Sequence, residues 1–290
     1  MICYVCGRKM FPLCSKEFQT RNLKVCEYVK CPDCGLVLAK TIYDMPSSQY
    51  SDLNAEIHIP KQGIDEDSDD PHWIKRINAQ KDMLVSIFRS GLFSMDKKCV
   101  DYGCGDGRLA DYVNRELSGD ITSETSLSDN DNSTSLAILK KYDKYLDLDR
   151  PDYLTDAEMS ATKFDLVLSS AVLEHLRGKG ELLEVLSFLN EGGIFAFHTL
   201  ICEEVPHDPE WFYYLSTHCT FYSNEAMSRL YNEFGFKGCI YNVDAQMWFC
   251  FRNRSLYEQF LHKKSSLSGT LVFGDGFVDY WKNYPSRNNP

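Results

Sequence analysis

The stretch VDYGCGDGRLADYV, Val100 to Val113, constrains the fold more than any other part of the chain. It begins as an apolar strand, breaks into Gly-x-Gly-x-Gly, and resumes with helical spacing. Glycines permit unusual backbone angles and a close approach of backbone to a ligand. The same alternation continues downstream. FDLVLSS reads as a strand and AVLEHL as the start of a helix; ELLEVLSFL is helical, EGG turns, and IFAFHTL is a strand. NEAMSRLYNEFGF reads as a helix ending at Gly235, and GCIYNV and QMWFCFR, split by DA, as an antiparallel pair. Strands alternating with helices predict an α/β fold, a mostly parallel sheet with crossover helices.

The turn also limits the ligand. A dinucleotide fingerprint, Gly-x-Gly-x-x-Gly, fails from Gly103 because Arg108 stands in the last place, and from Gly105 because Ala110 does. No Gly-Lys-Ser/Thr follows, so a phosphate-binding P-loop fails too. What remains is Asp101, Gly103, Gly105 and Gly107, a loop suited to a cofactor without a pyrophosphate.

The 290 residues, 43% of them hydrophobic, suffice for a sizeable core and more than one module. Residues 1–45 hold half of the twelve cysteines. Residues 46–70 read as a linker ending in the acidic run DEDSDD, a solvated connector. Trp73 to Phe93 repeats apolar residues three and four apart and reads as an amphipathic helix that opens a domain spanning 71–255. Within it, residues 118–135 are polar and acidic, an insertion with too little apolar surface to order itself. Residues 256–290 form an aromatic C-terminal extension without clear periodicity. No apolar run is long enough to span a membrane, and the first residues lack the pattern of a signal peptide, so a cytoplasmic location is expected. A net charge of −11 disfavours nucleic acid as a partner.

CYVCG and CPDCG place Cys3, Cys6, Cys31 and Cys34 in two Cys-x-x-Cys pairs, each followed by glycine, the pattern of a tetrahedral structural Zn²⁺ site. Cys14 and Cys26 lie between the pairs. A redox dithiol normally follows a strand in a thioredoxin-like unit, and no such unit is evident. Residues 1–45 carry seven Lys/Arg against four Asp/Glu. Four thiolates and one Zn²⁺ leave that excess near +1, a weak attractant for a polyanion.

The glycine turn resembles motif I of the class I S-adenosylmethionine-dependent methyltransferases. FDLVLSSAVLEHL resembles that family's fourth strand and the helix start after it, and LNEGGIFAFHTL its fifth strand. The resemblance covers about Trp73 to Arg252. It implies a Rossmann-like sheet with an antiparallel last strand, here preceded by a small zinc-ribbon-like module. It implies S-adenosyl-L-methionine as cofactor, with Gly103, Gly105 and Gly107 along its methionine and ribose, Asp101 near its amino group, and Ser170 and Ala171 beside it. A carboxylate after the second strand, AILKKYDKY, would hold the ribose hydroxyls; Asp143 takes that role, with Asp147 as the fallback. Asp156 or Glu158 would lie near the adenine. The N-terminal cysteine pairs resemble a subgroup that includes sugar-modifying methyltransferases of antibiotic and surface-polysaccharide pathways. Ribosomal RNA guanine methyltransferases with an N-terminal zinc site are another relative, but their Cys-x-x-x-His is absent here.

Methyl transfer from a sulfonium needs alignment and, for a hydroxyl or carbon acid, removal of a proton. Ligands lie beyond the carboxyl ends of the strands in such sheets, where the loop from Ile201 to Ser223 belongs. His218 is the first candidate base, ahead of His198 and His207. His175 reads as a helix-start histidine near the cofactor, and Ser223 as a helix cap. The expected function is a methyltransferase acting on a small-molecule or sugar-containing acceptor, with surface polysaccharide or secondary metabolites as settings. The alternatives are an RNA or protein methyltransferase docking through the zinc ribbon, and a non-catalytic cofactor-binding adapter.

Overall fold

A computed structural model describes residues 1–58, 70–124, 137–145 and 152–280. Asp147, residues 59–69 of the expected linker, residues 125–135 of the polar insertion and residues 281–290 of the C-terminal extension lie outside them. In chain order the elements are β1 (Phe11–Glu17), β2 (Val25–Lys30), β3 (Val37–Ala39), α1 (Lys40–Tyr43), α2 (Ser47–His58) and α3 (Pro71–Arg89). Then follow β4 (Cys99–Tyr102), α4 (Arg108–Glu124), β5 (Leu139–Tyr142), α5 (Asp156–Ala161), β6 (Phe164–Ser170), α6 (Lys179–Ser187) and β7 (Leu189–His198). The chain closes with β8 (Ile201–Cys202), β9 (Thr220–Ser223), α7 (Asn224–Glu233), β10 (Gly238–Asn242), β11 (Met247–Phe251), α8 (Arg254–His262) and β12 (Leu271–Gly274).

The larger sheet has seven strands in the order β12-β10-β11-β7-β6-β4-β5. Pairs β5·β4, β4·β6 and β6·β7 are parallel, and β11, β10 and β12 continue antiparallel. Each central strand alternates between two cores, because successive side chains point to opposite faces. In β7, Phe195 and Phe197 join one core and Ile194 and Ala196 the other; in β11, Trp248 and Cys250 oppose Met247, Phe249 and Phe251. Helices α3, α4 and α8 cover one face, and α5, α6 and α7 the other. The order reverses at β4, from which β5 and β6 diverge, and a crevice opens there beyond the strand ends. This is the Rossmann-like architecture that the sequence leads one to expect.

A second sheet, β1-β2-β3-β9-β8, joins the N-terminal strands to the loop after β7. Val37 pairs with Phe221 and Leu38 with Thr220, antiparallel. The stretch from Ile201 to Ser223 therefore supplies two strands to the first module's sheet. Within the span read as a linker, Ser47–His58 is helical and buries Tyr50 and Leu53 against Ala39, Ile42 and Phe221. Asp70 ends the acidic run by capping α3, accepting from the His72 N–H at 3.0 Å.

Other local differences have simple causes. AVLEHL forms only a short 3-10 turn, Leu173–His175, because strand and loop contacts hold it: Cys219 N–H donates to the Glu174 carbonyl (2.7 Å) and Thr220 O–H to that of Leu176 (2.6 Å). β7 runs straight through Gly192 and Gly193, where a β-carbon on Gly193 would lie 2.7 Å from Leu189 and 3.0 Å from the Asp165 carbonyl. The extension contributes α8 and the edge strand β12, and Trp248 is anchored by its Nε1–H to the Val278 carbonyl (2.8 Å). No helix among the described residues is long and apolar enough to cross a membrane.

Candidate active site

The glycine turn leaves β4 at Tyr102 and is pinned to β5: Gly103 N–H donates to the Tyr142 carbonyl at 2.8 Å and Cys104 N–H to the same oxygen at 3.2 Å. Gly103 has φ +72°, and a β-carbon there would stand 2.5 Å from Val172 Cγ2. Gly107, at φ +78°, would collide with Lys141 (2.6 Å) and the Tyr153 hydroxyl (2.8 Å). Both positions demand glycine on two counts, backbone angle and space. Gly105, at φ +57°, faces open space. Gly103 and Gly105 thus border the crevice, while Gly107 packs behind it.

Asp101 is 2% exposed, and burial first, then the charges of Asp143 and Asp106, push its carboxyl up to about 7 against the pull of Lys141. Asp143 closes the turn: Oδ2 accepts from Gly105 N–H (3.0 Å) and Oδ1 from Tyr145 N–H (2.9 Å). At the end of β6, Ser170 donates to Gln80 Oε1 (3.2 Å), and Ala171 sits at φ +59°, held by its N–H to the His198 carbonyl (2.9 Å). A non-glycine residue in the left-handed region beside a cavity is backbone strain maintained at a site.

These groups line a cavity of about 460 Å³, within the range of ligand pockets. Helices α2 and α3 supply its outer wall through Asn54, Trp73, Arg76 and Gln80, none of which the sequence reading had placed there. The walls hold six carboxylates, from Asp101, Asp106, Asp143, Glu174, Glu181 and Glu184, against three cations, Arg76, Arg108 and Lys144. Arg108 is already paired with Asp106 (2.7 Å), and Lys144 with Glu184 (2.9 Å). Such walls suit a ligand carrying positive charge, as a sulfonium and an α-amino group do, rather than a polyphosphate.

Of the three candidate bases, His218 borders the cavity, together with His175. The two rings stand edge to face with centroids 4.8 Å apart. His218 Nδ1 lies 3.0 Å from the Tyr213 carbonyl and His175 Nδ1 3.0 Å from that of Thr217. Beside them, the buried Glu174 carboxylate accepts from the Tyr213 hydroxyl at 2.8 Å. His198 ends β7 behind the cavity, with Nδ1 2.6 Å from the Gln246 carbonyl; burial, then the charge of Arg76, pulls it down to about 3. His207 is exposed on the loop and borders no part of the cavity. Asp156 accepts from the Tyr142 hydroxyl (2.9 Å), and Glu158 closes a capping box with Thr155, so both are engaged outside the cavity. Ser223 caps α7 through Ala226 N–H (3.0 Å).

The cysteine pairs converge. Cys3 and Cys34 sulfurs are 3.6 Å apart, Cys6 and Cys31 3.3 Å, and all four lie within 4.8 Å of one another. A tetrahedron of roughly 2.3 Å Zn–S bonds has edges of roughly 3.8 Å, so this donor set fits a zinc ion. The two knuckles are built alike. Gly7 and Gly35 take φ of +73° and +74°, and their N–H groups return to the Cys3 and Cys31 carbonyls at 2.9 and 3.1 Å. The Cys34 carbonyl accepts from Ser223 O–H, which fastens the second knuckle to the end of β9.

A family model described as a methyltransferase domain matches residues 75–239. No curated protein matches the chain. Among solved structures, the plantazolicin methyltransferase BpumL in complex with a pentazolic desmethylPZN analogue and SAH is 13% identical, covering 74% of this chain and 98% of its own, with a TM-score of 0.44. The same protein with a triazolic analogue and SAH is 13% identical, with coverages of 74% and 94% and a TM-score of 0.40.

Proposed function

We propose an acceptor and residue roles on one premise: the chain belongs to the methyltransferase-domain family and is an S-adenosylmethionine-dependent methyltransferase. The acceptor is a small molecule with an ionisable hydroxyl, sugar-containing compounds included. One observation carries this reading: His218, His175 and Glu174 border the same acidic cavity as the glycine turn. A folded polyanion would meet carboxylates there, and the chain as a whole carries a net charge of −11.

In this reading Gly103 and Gly105 receive the methionine and ribose of the cofactor, and Asp143 the ribose hydroxyls. Asp101 meets the cationic amino group, whose arrival favours the ionised carboxylate. Ser170 and Ala171 flank the ligand, and Arg76, which forms no ion pair among the described residues, meets the carboxylate. The acceptor oxygen loses its proton to the His218 cluster and attacks the methyl carbon in line with the carbon–sulfur bond. That bond breaks onto sulfur and leaves a neutral thioether.

Cys3, Cys6, Cys31 and Cys34 hold a structural Zn²⁺, closed to substrate by its four thiolates. Residues 1–45 form a zinc-ribbon-like module, 71–255 the methyltransferase domain, and 256–290 an extension whose strand Leu271–Gly274 edges that domain's sheet. Twelve cysteines, none in a disulfide, suit a reducing, cytoplasmic setting.

The test is transfer of labelled methyl from S-adenosylmethionine into fractionated cell extract. Label in acid-soluble compounds is expected. Label confined to precipitated RNA or protein would overturn the small-molecule reading, and absence of cofactor binding by calorimetry would overturn the residue roles.

A further inference from the structure

Glu174 uses only half of its carboxylate. Oε1 accepts from Tyr213, but Oε2, in a side chain 2% exposed, has no hydrogen-bond partner among the described residues. A buried carboxylate oxygen without a partner is costly, and such groups call for an explanation. One ligating atom each from Glu174, His175 and His218 lie within 4.8 Å of one another.

The imidazoles are set alike. A carbonyl oxygen can only accept, so the contacts with the Thr217 and Tyr213 carbonyls put the hydrogen of each ring on Nδ1. In the neutral form of each ring, the form that ligates a metal, Nε2 then carries the lone pair. Histidines that ligate metals are oriented in this way, by the N–H they donate to a backbone carbonyl, and their carboxylate co-ligands are held by hydrogen bonds of their own. Tyr213 does both here, since its carbonyl orients His218 and its hydroxyl holds Glu174.

We propose that Nε2 of His175, Nε2 of His218 and Oε2 of Glu174 bind a divalent first-row transition metal ion at the wall of the cofactor cavity. The proposal deepens the acceptor reading above and rests on it for the ion's role. Two neutral imidazoles and one carboxylate suit Mn²⁺, Fe²⁺, Co²⁺ or Zn²⁺ better than Mg²⁺ or Ca²⁺, which favour all-oxygen sites. Three protein ligands leave positions open to an acceptor hydroxyl. With the ion bound, Nε2 of His218 serves as a ligand, so the ion takes over from the imidazole as the group that activates the acceptor: it would orient that oxygen and lower its pKa, the proton leaving to water, with no change in the metal's oxidation state. Arg76 borders the same cavity and interacts electrostatically with Glu174. Its charge opposes a second cation, so Arg76→Gln is expected to tighten metal binding.

The test is titration of the full-length, zinc-loaded protein with Mn²⁺, read by the electron paramagnetic resonance of the free ion. Mn²⁺ disfavours thiolates and leaves the cysteine corner alone. One equivalent per chain is expected. Binding should weaken at least about tenfold in Glu174→Gln and His218→Asn, and about 10–100-fold in Tyr213→Phe. Retained S-adenosylhomocysteine binding reports that each variant is folded. Absence of Mn²⁺ binding by the unmodified protein, or binding that folded Glu174→Gln and His218→Asn leave unchanged, would overturn the metal site. Methyl transfer persisting alongside either result would leave the methyltransferase reading standing.

Discussion

Two clusters of ligand-type side chains stand at opposite ends of one four-residue strand. Beyond the start of β9, His218 meets His175 and Glu174; at its end, Ser223 is hydrogen-bonded to the Cys34 carbonyl of the cysteine corner. The cysteine corner is closed and faces no part of the cavity, whereas the histidine corner opens into it. The difference teaches where function sits in this fold. One cluster fixes β9 to the first sheet, and the other uses that fixed strand to present chemistry to the crevice. The cysteine corner is thereby tied to the proposed active site, as an anchor of the strand that follows His218.

The sharpest way to break the comparison is to open the anchor. Cys31→Ser is expected to lose zinc by atomic absorption and to lower the thermal midpoint by about 10 °C or more, since the metal's binding energy is folding energy. If the corner were a mere appendage, the melting of the methyltransferase sheet would be unchanged. At the other end, His218→Ala should lower kcat about 10²–10⁴-fold while S-adenosylhomocysteine affinity, measured by calorimetry, stays near that of the unmodified protein. His207→Ala should leave both unchanged.

Gly103→Ala comes next. The left-handed angle and the 2.5 Å approach to Val172 should weaken cofactor binding about tenfold or more, read by the same calorimetry. Gly105→Ala meets no neighbour, and its effect should be smaller.

A pH effect sharpens the picture. Asp101 has its folded pKa raised from 3.8 to about 7 by burial. Between those values the folded protein binds more protons than the unfolded chain, so this group's contribution to stability falls as pH rises from about 4 to 7. The ionised form is the one that attracts a cationic cofactor. S-adenosylmethionine affinity should therefore rise through pH 7, and Asp101→Asn should flatten that rise while raising the cofactor-free melting temperature at pH 8. A rise preserved in Asp101→Asn would assign the titration to another group.

What the sequence reveals follows the same division. Ligands that come in local pairs, such as Cys3 with Cys6 and Cys31 with Cys34, are legible from spacing alone. The glycine turn is legible too, because both its backbone angles and its close approaches demand glycine. The Glu174–His175–His218 corner joins segments more than forty residues apart, and His218 is brought into place by the pairing of β3 with β9 and by the Cys219 N–H to Glu174 carbonyl hydrogen bond. The loop from Ile201 to Ser223 reads as irregular because its two strands are short, β8 pairing only with β9 and β9 with β3 at the far end of the chain. Helix α2 was hidden for a related reason: its polar composition suits a linker, yet Tyr50 and Leu53, three apart, bury one face. Arg76 and Gln80 lay inside a helix that periodicity did find, but periodicity does not say which polar residues face a cavity.

The pairing of Val37 with Phe221 also governs how the chain is made. The cysteine knuckles can close as soon as Cys34 has emerged from the ribosome, but the open edge of β3 must wait for a partner more than 180 residues downstream. At roughly 5–20 residues per second, that wait is about 10–40 s, during which an apolar strand edge stands uncovered. The segment that brings His218 to the cavity wall is thus also the one that ends the nascent chain's exposure to misassembly. Shortening or delaying the stretch up to Ser223 should show first as aggregation during synthesis, before any loss of catalytic rate.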